Sequence, residues 1–184
     1  WPAGNATGIA PPTGPRTLYW TGAAGTTDSS NPTNWVENTD GNYNTPATWG
    51  IYSGDSLNIG EYHAVTAGVN WVCDYDGTAD FAGQANLLVG SAREGTFNMN
   101  SGDLNFTANS SSVQTIGAQS SEGNGTINVN GGTLSLNAAR LGLAGSQGTI
   151  NVNAGTLDIA RGWNDASMWI GYGSAGGTGT VRVT

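Results

Sequence analysis

Residues 125–136, GTINVNGGTLSL, decide how this chain folds. The same phrase precedes them at 95–106 as GTFNMNSGDLNF and follows them at 148–159 as GTINVNAGTLDI. A shorter version, GTVRV, occupies 179–183. Between the phrases stands an apolar residue followed by glycine, at 89–90, 116–117, 141–142 and 170–171. A repeat length in the twenties to low thirties is typical of solenoid and array proteins.

Apolar and polar side chains alternate within each phrase, which places them on opposite faces of a β-strand. The residues predicted to point inward are Phe97, Met99, Ile127, Val129, Ile150, Val152, Val181 and Val183. Those predicted to point outward are Asn98, Asn128, Asn151 and Arg182. Three short strands per repeat, each entered through a glycine, form a coil with three faces. One coil cannot bury its own apolar row, so coils must stack and equivalent residues must form ladders.

These patterns predict an all-β protein, a parallel β-helix of about four to five coils, right-handed as is usual for parallel β crossovers. No stretch shows sustained helical periodicity. All six prolines precede residue 47. We therefore expect residues 1–16 to form a linker or extended segment and residues 17–184 a single domain. Within that domain, 17–56 are a tryptophan-rich cap whose Trp20, Trp35 and Trp49 fill the core, and 57–184 form the coils.

The composition limits the classes of partner. The 184 residues carry a net charge of −8, with five arginines and no lysine. This argues against nucleic acid and anionic membranes, which require basic patches, and no apolar run approaches a membrane span. A charged fraction of only 10% suits a secreted, extracellular protein that binds neutral polymers such as glycans. Cys73 is the single cysteine, so no internal disulfide is possible.

A resemblance appears in the order of several short motifs. Trp-Thr-Gly at 20–22, Asn-Trp at 34–35 and Gly-Asp-x-Leu-x-Ile-Gly at 54–60 precede the Gly-Thr coils. Over residues 17–184 this resembles secreted bacterial β-helical proteins of the autotransporter-associated repeat kind. It is also similar in style and size to β-helical carbohydrate-binding modules of the family 89 type, which are attached to xylan-degrading enzymes. The resemblance implies a non-catalytic domain that holds a glycoside hydrolase on plant cell-wall polysaccharide.

The apolar–glycine phrase also predicts an outward column, because the residue before each inward apolar residue faces solvent. The column is Leu88, Thr115, Arg140 and Trp169. Trp169 lies beside Arg140 there, with Trp163 in the preceding loop and Tyr172 nearby, and a flat ring can stack on a sugar while polar groups bind its hydroxyls. The alternative is that both tryptophans cap the C-terminal end of the core.

Three further groups are weaker candidates. Trp71 and Tyr75 form a second possible sugar-binding pair. The acidic turn that follows resembles a calcium loop without the distal glutamate of an EF-hand, or else is simply solvated; its carboxylates are Asp74, Asp76 and Asp80. No other cofactor is expected. The outward asparagines could bind sugar hydroxyls, but we expect them to hydrogen-bond one another along the stack.

Catalysis finds little support in the sequence. His63 is the sole histidine, and no nucleophile motif accompanies it. Asp103 and Asp158 are a candidate carboxylate pair, because both are assigned to the column of the third phrase, with Thr133 between them. They would be about two coils, roughly 9–10 Å, apart at the usual strand spacing.

We therefore assign no catalytic residue and expect a non-catalytic carbohydrate-binding module for plant cell-wall polysaccharide, with xylan as the first guess. The module is expected to be linked covalently to a larger enzyme or surface protein, because the strand pattern breaks off at 181–184 and no signal peptide opens the chain. The alternative is a structural or adhesive module of a large bacterial surface protein, and a polysaccharide lyase or hydrolase comes third.

Overall fold

A computed structural model describes residues 12–38, 45–61, 71–77, 86–107, 113–118, 123–160, 168–171 and 176–184. Within these ranges the only helical element is a 3-10 turn at Pro32–Asn34. No helix there has the length and apolar character needed to cross a membrane. The remaining elements are strands: β1 Thr17–Trp20, β2 Trp35–Glu37, β3 Thr45–Pro46, β4 Ser56–Ile59, β5 Val72–Tyr75, β6 Asn86–Val89, β7 Gly95–Met99, β8 Asp103–Phe106, β9 Gln114–Ile116, β10 Gly125–Val129, β11 Thr133–Leu136, β12 Ala139–Leu141, β13 Gln147–Val152, β14 Thr156–Ile159, β15 Met168–Ile170 and β16 Thr178–Val183.

The strands form three open sheets. Sheet A has the order β15-β12-β9-β6-β4-β1-β2-β3, sheet B the order β16-β13-β10-β7-β5, and sheet C the order β14-β11-β8. From β6 onward the strands enter the sheets in the repeating order A, B, C, and the last repeat gives β15 to sheet A and β16 to sheet B. Neighbouring strands pair in parallel except for β1–β2 and β2–β3, which are antiparallel. The predicted all-β chain with parallel sheets is confirmed.

The inward rows of the three sheets meet in one apolar cluster, which is the core. Phe97, Ile127 and Ile150 stand in register in sheet B and are fully buried, as the alternation predicts. Val183 aligns with the inward Val152, as the alternation predicts, but it remains 78% exposed. The reason is its position in β16, the last strand of sheet B, over which no further described strand is stacked.

Glycine follows every sheet A strand of the repeat for a steric reason. Gly117 and Gly142 have φ of 75° and 68°, a region that other residues rarely adopt. A Cβ at Gly117 would lie 2.2 Å from the Gln147 carbonyl oxygen, and one at Gly142 would lie 2.1 Å from the Thr178 carbonyl oxygen. The next coil therefore passes too close to admit any side chain, which explains the repeated apolar–glycine phrase.

The segment assigned to the N-terminal cap extends sheet A with β1, β2 and β3. β1 pairs in parallel with β4, so the parallel part of sheet A begins inside the segment that the sequence assigns to the cap. Trp20 and Trp35 are fully buried with ring centroids 5.0 Å apart at an interplanar angle of 78°, an edge-to-face contact. The Trp35 indole N–H donates to the Ser29 carbonyl at 2.9 Å. The prediction that cap tryptophans fill the core is confirmed for Trp20 and Trp35, whereas Trp49 is 7% exposed but lies outside the core cluster.

A buried arginine ties the cap together. The Arg16 guanidinium donates to the Asp55 carboxylate at 2.6 Å and to Glu37 at 3.1 Å, and also to the carbonyls of Trp49 and Gly50. Burial raises the pKa of Asp55 above its ordinary value, although the Arg16 contacts act in the opposite direction. Arg16 was expected in the linker, of which residues 1–11 lie outside the described ranges. Its side chain instead belongs to the fold.

We predict that Arg16→Met destabilises the protein by about 3–5 kcal/mol, because it leaves the Asp55 carboxylate buried without its cation. The double variant Arg16→Met/Asp55→Leu, which removes both charges, is expected to recover much of that loss. Urea unfolding followed by tryptophan fluorescence measures both. Equal stability of the single and double variants would show that the ion pair is not what holds the cap.

Glycine replacements separate backbone strain from steric overlap. Gly176 has a φ of 76° but open space around its Cβ position, so Gly176→Ala is expected to cost about 1 kcal/mol. Gly117→Ala adds the overlap with the next coil and is expected to cost about 3 kcal/mol or more. Gly14→Ala, with neither feature, is the control. Similar losses at Gly117 and Gly176 in urea unfolding would contradict the close approach of the coils.

Candidate functional site

One outward residue from each strand of sheet A lies in a single column. The strand pairing aligns Leu88 with Thr115, Thr115 with Arg140, and Arg140 with Trp169, which confirms the predicted order. The pairing continues toward the cap through four residues that the sequence reasoning missed: Asn58, Tyr19, Val36 and Pro46. The Gly-Asp-x-Leu-x-Ile-Gly motif at 54–60 could have revealed Asn58. No sequence signal marks Val36 and Pro46, which lie in the antiparallel strands.

Arg140 and Trp169 make the most distinctive contact of the column. The central guanidinium carbon of Arg140 lies 5.3 Å from the centroid of the Trp169 ring, a cation–π arrangement. Both side chains are partly exposed, so neither is withdrawn into the core. Trp163 and Tyr172 lie outside the described residues, and their part in this surface stays a prediction.

The second predicted pair does not form a surface site. Tyr75 is 1% exposed, and its ring stacks on Phe97 with centroids 6.5 Å apart. Its hydroxyl donates to the Asp103 carbonyl at 3.3 Å, and burial raises its pKa above the ordinary value. Tyr75 was therefore wrong as a sugar contact, because the alternation of β5 turns it inward together with Cys73. Trp71 is partly exposed and packs against the core.

The outward face of sheet B carries hydrogen-bonded asparagine ladders. Asn128 Nδ2 donates to Asn98 Oδ1 and Asn151 Nδ2 donates to Asn128 Oδ1, both at 2.7 Å. A second ladder two residues further along the strands joins Asn100, Asn130 and Asn153 at 2.9 and 2.8 Å. The prediction that stacked asparagines bond one another is confirmed, and their amides are thereby fixed in orientation.

The first ladder ends at the proposed calcium turn. Asp74 Oδ1 accepts from Asn98 Nδ2 at 2.7 Å, and Asp74 Oδ2 accepts from the Thr27 hydroxyl. Asp76 is exposed, and Asp80 lies outside the described residues. No group of three or more histidine, cysteine, aspartate or glutamate side chains able to hold a metal ion occurs in the described part of the chain. A calcium ion would compete with both hydrogen bonds of Asp74, and calcium binding stays a prediction.

The candidate carboxylate pair is wrong. Asp103 aligns with Thr133 and Asp158 aligns with Ser135, so the two lie in different columns of sheet C. Their Cα atoms are about 12 Å apart at ~4.8 Å per strand and ~3.4 Å per residue, more than the two-coil spacing that the sequence predicted. The Cys73 thiol is fully buried and its pKa is raised well above the ordinary value by burial, so it is no nucleophile. His63 lies outside the described residues.

Comparison of the chain with protein-family models, curated proteins and solved structures found no match. The resemblance to β-helical repeat proteins and carbohydrate-binding modules therefore stays a prediction. The features of the molecule that bear on its function are the column of sheet A and the ladders of sheet B.

We predict that Asn128→Leu lowers the free energy of unfolding by about 1–2 kcal/mol, because the central amide of the ladder bonds both neighbours. Thr126→Val on the same strand is the control, since its hydroxyl makes no hydrogen bond to the described residues and valine keeps its shape. Urea unfolding compares the two. Equal effects would mean that the ladder contributes no net stability.

Proposed function

We propose that this chain is a non-catalytic carbohydrate-binding module that binds a neutral plant cell-wall polysaccharide, xylan first, on the outward face of sheet A. The observation that carries the proposal is the contact of Arg140 with Trp169 on that face. A partly exposed indole offers an apolar surface to the C–H groups of a sugar. The guanidinium beside it supplies several hydrogen-bond donors in a fixed plane for the hydroxyls.

The architecture proposed with this function is a right-handed parallel β-helix of about four to five coils. The A, B, C order of the strands and the in-register pairing of equivalent residues support it. A site on such strands would be formed before the ligand arrives, and we expect modest affinity without a metal ion. We further propose that the module is secreted and acts while linked to a larger enzyme or surface protein.

The charge of the molecule supports a neutral polymer. The chain carries a net charge of −8, and no acidic residue occurs in the column from Pro46 to Trp169. A polyanionic polymer such as a polyuronate would be repelled by the molecule as a whole. A neutral chain needs only stacking and hydroxyl hydrogen bonds, which Trp169 and Arg140 can provide.

A structural or adhesive module is the second candidate. The asparagine ladders of sheet B favour it, because continuous side-chain hydrogen bonding along the stack stiffens a long repeat without serving a ligand. The two functions differ in glycan binding. A binding module binds a glycan through Trp169, whereas a scaffold does not need to bind one. A lyase or hydrolase has no comparable observation in its favour among the described residues.

Affinity electrophoresis against soluble polysaccharides, including xylan and mixed-linkage glucan, tests the proposal. We expect retardation of the unaltered protein by at least one of them. Trp169→Ala is expected to raise Kd about tenfold because it removes the stacking surface. Thr126→Val, on sheet B, is the matched control and should migrate as the unaltered protein does.

Three results would count against specific parts of this scheme. No retardation by any polysaccharide, with the fold intact by circular dichroism, would favour the scaffold. Retardation of Trp169→Ala equal to that of the unaltered protein would contradict a binding site at Trp169 on sheet A. Loss of retardation in EDTA would contradict metal-independent binding and support the calcium prediction at Asp74 and Asp76.

A further inference from the structure

The sheet A column provides more than the two residues on which the proposed function rests. Leu88, Thr115, Arg140 and Trp169 are consecutive in it, and all four side chains are partly exposed. The next member toward the cap, Asn58, is only 9% exposed, and its Nδ2 donates to the Leu18 carbonyl at 3.3 Å. The accessible part of the column therefore runs from Leu88 to Trp169 and ends where Asn58 is buried.

The short strands decide how a polymer can lie on this surface. β9, β12 and β15 have three residues each, and in β9 and β12 the middle residue points outward between two buried neighbours. A sugar chain that followed β9 or β12 would meet a single outward side chain. A chain that crosses the strands meets one side chain per coil, at ~4.8 Å intervals. That interval is close to the length of one pyranose unit.

The chemistry changes along the accessible column. Leu88 and Trp169 are apolar surfaces at its two ends, about 14 Å apart over three strand spacings. Thr115 and Arg140 lie between them and carry hydrogen-bonding groups. This arrangement suits a polymer whose sugar faces contact the ends while hydroxyls of the central units bond the middle.

We propose that the residues from Leu88 to Trp169 form one track of four subsites for a linear, neutral polysaccharide chain that runs perpendicular to the strands. Leu88 and Thr115 are binding residues in addition to Arg140 and Trp169. The proposal deepens the proposed function and rests on it. The polymer thus crosses the strands, four of its units are bound, and binding ends beside the buried Asn58.

Isothermal titration calorimetry with xylo-oligosaccharides and cello-oligosaccharides of two to eight units tests the track. For the series that binds, we expect Kd to fall at least about fivefold from the disaccharide to the tetrasaccharide, and less than about twofold beyond it. Continued improvement up to the octasaccharide would overturn the four-subsite length. A Kd that does not depend on length would overturn the track itself.

Substitutions at the cap end separate this proposal from the proposed function. Leu88→Thr is expected to weaken tetrasaccharide binding about threefold and to leave the disaccharide unchanged, because the disaccharide binds at Trp169. Tyr19→Val is the matched control beyond the buried Asn58 and should bind as the unaltered protein does. Thermal unfolding checks that both variants fold.

The outcomes distinguish two failures. Polysaccharide binding that needs Trp169 but is insensitive to Leu88→Thr would overturn the track and leave the proposed function standing. An effect of Tyr19→Val equal to that of Leu88→Thr would overturn the end at Asn58. Absence of binding to every polysaccharide would overturn both proposals together.

Discussion

The structure depends on in-register stacking of repeats that cannot bury their own apolar residues. Each strand carries one row of inward apolar side chains. These side chains are buried only when the neighbouring strands have apolar residues at the paired positions. Stacking brings the backbones of successive coils so close together after the sheet A strands that no side chain fits there. Gly117 and Gly142 occupy these positions and contact the backbone of the next coil. Burial of the inward residues and backbone pairing of the strands thus impose the same register. A substitution that disrupts the burial therefore also disrupts the pairing.

The same register organises the outer surface. Equivalent residues of sheet B lie 30, 23 and 31 positions apart along the chain, yet Asn98, Asn128, Asn151 and Arg182 pair in order. The variation in repeat length is therefore accommodated between strands. Outward residues are aligned in columns by the register alone, because they do not pack in the core. A column can therefore either stabilise the stack of coils or bind a ligand. Sheet B uses its asparagines for mutual hydrogen bonds, whereas sheet A presents a mixed column that ends in an arginine and a tryptophan.

Charges are few, and four of the described charged residues have structural roles, at two separate places. Arg16 joins Asp55 and Glu37 under the cap, where it also satisfies two backbone carbonyls. Asp74 accepts the last donor of the asparagine ladder. Both sites use an acidic or basic side chain where the regular pairing of the stack has no further partner.

The sequence alone determined the strands of the repeated phrases, their inward rows and the order of the outward column from Leu88 to Trp169. Alternation at period two and a glycine after each sheet A strand are local signals, and they repeat often enough to align. Tyr75 and the carboxylate pair were misassigned although the same signals place them: alternation in β5 turns Tyr75 inward with Cys73, and Asp103 and Asp158 hold different positions in the repeated phrase, so they pair in separate columns. The antiparallel pairing of β1, β2 and β3 arises only in the tertiary structure. The burial of Arg16 with Asp55 and of Asn58 in the column likewise arises only in the tertiary structure, since each joins residues about forty positions apart whose contact no local pattern encodes.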